Sequence, residues 1–75
     1  MADPDLQTAL LAAHARRDHD QLITLYAQAA DNALQDGRDE AADFYLTHAY
    51  VFALERGDTR ARQLHAQLKA RGREE

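Results

Sequence analysis

Cysteine, serine and tryptophan are all absent from this sequence, and proline occurs once. Without cysteine, neither a disulfide framework nor a thiolate metal site is possible. The joint absence of serine and cysteine removes the two commonest nucleophiles of covalent catalysis. The glycines Gly37, Gly57 and Gly72 are isolated, so no glycine-rich loop is available to hold a phosphate. We therefore expect neither an enzymatic activity nor a cofactor.

The remaining titratable residues show no pattern typical of a metal or catalytic centre. No two histidines have the i, i+4 spacing that would place two metal ligands on one helix face. The acids at positions 39, 40 and 43 are grouped at a predicted helix start, where they stabilise the helix without any catalytic role. We expect no metal site. The histidines concerned are His14, His19, His48 and His65.

Long hydrophobic runs are also missing. The longest apolar run covers residues 49–54, whereas a membrane span needs about 20 residues. Residues 1–5 are acidic and lack the basic and apolar regions of a signal peptide, so we expect a cytoplasmic protein. One lysine against eight arginines indicates a GC-rich bacterial genome. The net charge of −4 disfavours nucleic acid as a partner.

The spacing of the apolar residues predicts an all-α fold, an antiparallel array of about four helices in one domain at 1–75. Aspartates before three of the helices are predicted N-caps, and Gly37 and Gly57 are predicted to end helices in the left-handed conformation. The predicted caps are Asp3, Asp18 and Asp58. The first predicted helix covers about 4–17, and the second runs from the break at 18–20 to about 35. The third covers about 39–56, and the fourth runs from Asp58 to about 71.

The chain is organised around residues 26–54, where Gly37 separates two strongly apolar helices. Alanines on the facing sides predict that these two helices approach closely. The third helix is apolar around most of its circumference, with a narrow polar stripe through Glu40, Asp43 and Thr47, so it is predicted to pack on both neighbouring helices. Its aromatic residues are predicted to lie in the core.

Within this hairpin the chain is similar to the tetratricopeptide repeat, a helical hairpin of 34 residues. The residues that carry the resemblance are Tyr26, Ala30, Gly37, Ala42, Leu46 and Ala49. The frequent proline after the second helix of that family is missing here. The resemblance implies a stack of antiparallel helices with a concave surface that binds a peptide or protein. It does not extend to the carboxylate clamp of one subgroup, because helix 2 offers only Asn32 beside Asp31 and Asp36.

We interpret the chain as a small protein–protein interaction module, with apolar anchors from helices 2 and 3 and a charged rim. Phe44 and Val51, seven residues apart on helix 3, are an apolar stripe that a partner could cover. The charged and polar candidates for the rim are Asp31, Asn32, Arg60 and Arg62.

Two other functions stay open at this point. In the first, the chain is a structural homo-oligomer that buries the apolar stripe of helix 3 against itself, with two-fold symmetry. In the second, which ranks a distant third among the three functions, the chain is a nucleic-acid accessory protein that binds through the arginines of helix 4.

Overall fold

The computed structural model describes residues 4–72, and the regular structure in this part of the chain is entirely α-helical. The elements are α1 (Pro4–Arg16), α2 (His19–Gln35), α3 (Asp39–Arg56) and α4 (Arg60–Ala70). Short turns join them, so successive helices run antiparallel and each packs on the next. The prediction of an all-α antiparallel hairpin array is confirmed.

The three turns repeat one geometry every 20 residues. Arg17, Gly37 and Gly57 each adopt a positive φ, of 55°, 74° and 70°. The N–H of the next residue then donates to a carbonyl in the last turn of the preceding helix, at 2.9, 2.8 and 2.9 Å. These carbonyls belong to Ala13, Ala33 and Ala53, whose side chains are fully buried. The predicted roles of Gly37 and Gly57 are therefore confirmed.

Arg17 is the one turn residue of the three that carries a side chain in the left-handed region. That conformation costs about 1–2 kcal/mol for a residue with a Cβ, against about 0.5–1 kcal/mol of extra chain entropy that glycine loses on folding. We expect Arg17→Gly to raise the free energy of unfolding by up to about 1 kcal/mol, measured by thermal denaturation. Arg16→Gly is the control and is expected to lower it, since Arg16 is helical. A lower melting temperature for Arg17→Gly would contradict this account.

The predicted N-caps differ in outcome. Asp18 caps α2 as predicted, since its carboxylate accepts a 3.3 Å hydrogen bond from the backbone N–H three residues on. α4 begins at Arg60 after Thr59, one residue later than a cap at Asp58 predicts. The Asp58 carboxylate still accepts the capping hydrogen bond from the Arg60 backbone N–H, and it also accepts from the Arg60 guanidinium, at 2.9 Å each. Asp3 lies outside the described residues.

The core is thin and rich in alanine. Small residues such as Ala30 and Ala49 let α2 and α3 pack closely, while Ile23 and Leu46 fill the space beside them. Leu64 and Leu68 cover this cluster from α4. As predicted, α3 packs against both α2 and α4.

The helices form a two-layer slab with extents of 32, 31 and 12 Å. On one broad surface, α1 and α3 flank a groove with α2 beneath it. On the other, α2 and α4 line a second depression. We call these surfaces the α1/α3 face and the α2/α4 face. α2 contributes residues to both faces, with Asn32 on the first and Asp31 on the second.

Two arginines of the last helical segment tie it to the rest of the slab. The Arg60 guanidinium bonds Asp58 at 2.8 Å and reaches Asp20 of α2 at 2.5 Å. Arg71, directly after α4, pairs with Asp43 and holds its carboxylate in a buried position that is 8% exposed. Asp43 lies on the polar stripe of α3 beside Glu40 and Thr47, as predicted, and Arg71 pairs with it at the end of α4.

The ion pair of Asp58 makes stability depend on pH. Hydrogen bonds from Arg60 hold the pKa of Asp58 well below its ordinary value. A lowered pKa in the folded state stabilises the protein above the unfolded pKa of about 4, and this contribution is lost as the pH falls through the folded pKa. We expect Asp58→Asn, which keeps an acceptor oxygen, to lower the free energy of unfolding at neutral pH and to converge with the wild type in acid. Urea titrations at neutral and at acidic pH measure the free energy of unfolding of the variant and the wild type, with Asp31→Asn as the control. An equal loss at both pH values would show that the charge of Asp58 is not involved.

None of the helices formed by residues 4–72 combines the length and apolarity that a membrane span requires.

Candidate functional site

Large apolar side chains are exposed mainly on the α1/α3 face. Of the five in the described chain, three lie on α3, where Phe44 is 56%, Val51 43% and Leu54 54% exposed. Leu11 of α1 is 66% exposed, and Leu34 is the one member on α2. This concentration of exposed apolar side chains makes the face the candidate contact surface of the described chain. Phe44 is therefore not a core residue, which corrects the prediction for it. The other aromatic residues are half-buried and pack against the core cluster: Tyr26, Tyr45, Tyr50 and Phe52.

The exposed side of α3 has the spacing of a coiled-coil seam. Phe44, Thr47, Val51 and Leu54 are separated by three, four and three residues, the pattern that lets one helix lie along another. All four are exposed, and the buried residues Ala42, Leu46 and Ala49 point the opposite way, into α2. Exposed glutamates stand at both ends. We call these residues the α3 ridge: Glu40, Phe44, Thr47, Val51, Leu54 and Glu55.

Beside the ridge lies the α1/α3 groove, which has a volume of about 380 Å³. α1 contributes leucines to one wall, α3 contributes Phe44 and Tyr45 to the other, and α2 forms the floor. Towards one end the walls meet, because the rings of His14 and Phe52 lie 6.0 Å apart. The lining residues are Leu6, Gln7, Leu10, Leu11, His14, Tyr26, Ala29, Asn32, Arg38, Phe44 and Tyr45.

The Phe44 ring is held in place although half of it faces solvent. It lies 4.3 Å from the His48 ring and 5.6 Å from the Tyr45 ring, in the second case edge to face. His48 is itself fixed, since its Nδ1–H donates to the Phe44 carbonyl at 2.9 Å and its ring lies 5.1 Å from Tyr26. An anchor that is already ordered loses little conformational entropy when a partner covers it.

The floor of the groove carries one polar pair. The Tyr26 hydroxyl lies 2.8 Å from Nε2 of His14, which links α2 to α1. Burial raises the pKa of Tyr26, and the nearby Tyr45 phenol adds to the effect, so the hydroxyl keeps its proton at neutral pH. The pair joins α1 to α2 across the floor of the groove and orients both side chains.

The structure brings three of the candidate binding residues to the α1/α3 face. Phe44 and Val51 lie on the α3 ridge, and Asn32 lies in the groove. Arg62 of α4 is exposed in a shallow depression that also contains Leu54, at the edge of this face.

The other two candidates lie elsewhere. Asp31 is exposed in the depression of the α2/α4 face. Arg60 lines the same depression, but its guanidinium donates to Thr24 at 2.9 Å as well as to two carboxylates. A guanidinium with these contacts positions α4 against α2, and whether it also meets a partner stays a prediction.

Sequence reasoning missed the contribution of α1. Leu10, Leu11 and His14 line the groove, whereas the predicted anchors came from helices 2 and 3 alone. Leu11 carried a usable signal, because it is a large apolar residue beside the apolar stripe that includes Leu6, Leu10 and Ala13. An apolar residue outside the stripe of an amphipathic helix indicates a second contact surface.

Within residues 4–72, no three histidine or carboxylate side chains come together as a metal site would require. Comparisons with known protein families, with curated proteins and with solved structures find no match to this chain.

Proposed function

We propose that this protein is a protein–protein interaction module that binds a helical segment of its partner on the α1/α3 face. The observation that carries the proposal is the α3 ridge, an exposed apolar seam with a pre-ordered Phe44 beside an apolar groove. A partner helix laid along the ridge would cover Phe44, Val51 and Leu54, and Leu11 would contact it from α1. The resemblance to the tetratricopeptide repeat supports this class of function, although it implies the concave surface of an array.

The charges of the ridge disfavour the alternative of a homo-oligomer built on α3. If two copies pair antiparallel so that Phe44 meets Val51 of the second copy, Glu40 meets Glu55. If they pair parallel and in register, each glutamate meets its own counterpart. Both arrangements place like charges together at the two ends of the seam, which destabilises the pair. We therefore propose that the ridge serves a different protein.

The arginines of α4 give little support to nucleic-acid binding. Arg60 and Arg71 are occupied by carboxylates of the same chain, and Arg56 lies 3.8 Å from Asp58. Arg62 and Lys69 are the two cations at 56–72 without such a neighbour. Two separated charges supply only a small part of the phosphate contacts of a typical nucleic-acid-binding surface.

Affinity capture with matched baits tests the proposal. The baits are the wild type, Val51→Asp on the ridge, and Leu34→Asp, which changes an exposed apolar residue of α2 in the same way. We expect a protein that the wild type and Leu34→Asp retain and that Val51→Asp loses, with nuclease present throughout. A captured protein that Leu34→Asp loses and Val51→Asp retains would move the binding surface away from the α1/α3 face. Circular dichroism of each bait controls for folding.

A further inference from the structure

More than half of the carboxylates among residues 4–72 are paired with arginines of the same chain. Arginines lie within 4 Å of six aspartates, either locally in the turns or across helices. Among the described acids, Asp31, Glu40 and Glu55 have no ion pair and no hydrogen bond from a side chain. The two of these that lie on α3 are the ends of the α3 ridge. The neutralised aspartates are Asp18, Asp20, Asp36, Asp39, Asp43 and Asp58.

We infer that the partner segment is a cationic amphipathic helix, with an apolar seam that covers Phe44, Val51 and Leu54 and with lysine or arginine opposite Glu40 and Glu55. The inference rests on the proposed function and names the chemistry of the partner. An uncompensated carboxylate at each end of an apolar seam gains from an opposite charge and loses from a like one. The net charge of −4 adds long-range attraction for a cationic segment.

The geometry sets the spacing of the partner's charges. Glu40 and Glu55 are separated by 15 residues of one continuous helix, which corresponds to about 22 Å along its axis. A partner helix on the ridge must therefore place its two cations about 15 residues apart, with apolar residues at three- and four-residue intervals between them. In between, Thr47 is the one polar residue of the seam, and its hydroxyl already donates to the Asp43 carbonyl at 2.8 Å.

The same charges argue against other occupants of the ridge. An anionic membrane surface attracts basic amphipathic helices, and the two glutamates of this ridge would be repelled by it. A second copy brings carboxylates together in either orientation. A cationic helix from another protein satisfies both the apolar seam and its charged ends.

Two synthetic helical peptides test the inference directly. Both carry a leucine seam at heptad spacing and differ only in the end residues, which are lysine in one and glutamate in the other, about 15 residues apart. Fluorescence anisotropy measures the Kd of each for the full chain at low and high salt. We expect the lysine peptide to bind the wild type about tenfold more tightly at low salt, with a smaller preference at high salt.

Charge reversal on the protein supplies the matched control. We expect Glu40→Lys/Glu55→Lys to reverse the preference, so that the glutamate peptide binds more tightly. Asp31→Lys alters a third unpaired carboxylate, on the α2/α4 face, and is expected to leave the preference within about twofold. Melting curves of the three proteins show whether each is folded.

Each outcome decides a separate point. Equal affinity of the wild type for both peptides, lost in Val51→Asp, would overturn the inference and leave the proposed function standing. A reversal of preference by Asp31→Lys would show that net charge rather than the ridge ends selects the peptide, and would overturn it as well. If neither peptide binds, or if the chain alone sediments as a dimer that Val51→Asp dissociates, the cationic helix is excluded and the capture experiment decides the function.

Discussion

Replacing Leu46 by alanine is expected to lower the free energy of unfolding by about 2–5 kcal/mol. Leu46 is 1% exposed and lies at the centre of the only large buried cluster among the described residues, between α2 and α4. Truncation there loses the transfer free energy of the side chain and leaves a cavity that the close-packed helices cannot readily fill. A domain of this size has a total stability near the low end of the usual range of about 5–15 kcal/mol, so the variant should be partly unfolded at room temperature.

Leu54→Ala is the matched control for this substitution. Leu54 lies on the same helix, two turns further on, but its side chain is 54% exposed. We expect its loss to change the free energy of unfolding by less than about 0.5 kcal/mol. Urea denaturation followed by circular dichroism gives both values. Similar losses for the two variants would mean that α3 does not bury the side of the helix that the structure buries.

The second large effect is expected from Ala49→Leu, which is expected to destabilise the protein by about 1–3 kcal/mol or more. Ala49 has no exposed surface and lies where α2 and α3 pack together with Ala30. A larger side chain at this point must push the two helices apart or adopt a strained rotamer. Ala66→Leu, on the exposed side of α4, adds the same atoms without a neighbouring helix and should be nearly neutral. If Ala49→Leu were as stable as the wild type, the close approach of α2 and α3 would be wrong.

The turns show which local features can be predicted. Gly37 and Gly57 were predicted to end helices because glycine adopts a positive φ without a Cβ penalty, and both do. Arg17 occupies the equivalent position in the first turn, but arginine carries no comparable signal. Asp58 was predicted to be an N-cap, and its carboxylate does accept the backbone N–H of Arg60, although α4 begins one residue later than this cap predicts.

The buried side of α3 could be predicted, but the surroundings of its remaining residues could not. Asp43 was predicted to lie on the polar stripe of α3, but its partner could not be predicted, because Arg71 is 28 residues away and meets it only when α4 packs on α3. Phe44 was predicted to lie in the core because the polar stripe of α3 is narrow and does not show how far the uncovered side of the helix extends. The α1/α3 groove depends on how far apart two non-consecutive helices lie, which hydrophobic periodicity does not determine.

The same limit applies to the binding face. The pair of Phe44 and Val51 was recognised from a seven-residue spacing, and the structure extends it to Thr47 and Leu54. The proposed role of Glu40 and Glu55 could not be predicted, because it depends on most of the other described acids being paired, often with arginines far along the chain.

The central claim is that partners bind the α1/α3 face, and an NMR map of amide chemical shifts tests it most directly. The isotope-labelled protein is titrated with the partner recovered by affinity capture. We predict that the largest shifts fall on the α3 ridge and on Leu10 and Leu11 of α1, with little change at Asp31 and Gln63 on the α2/α4 face. Shifts concentrated around Asp31 and Gln63, with the α3 ridge unchanged, would contradict the account.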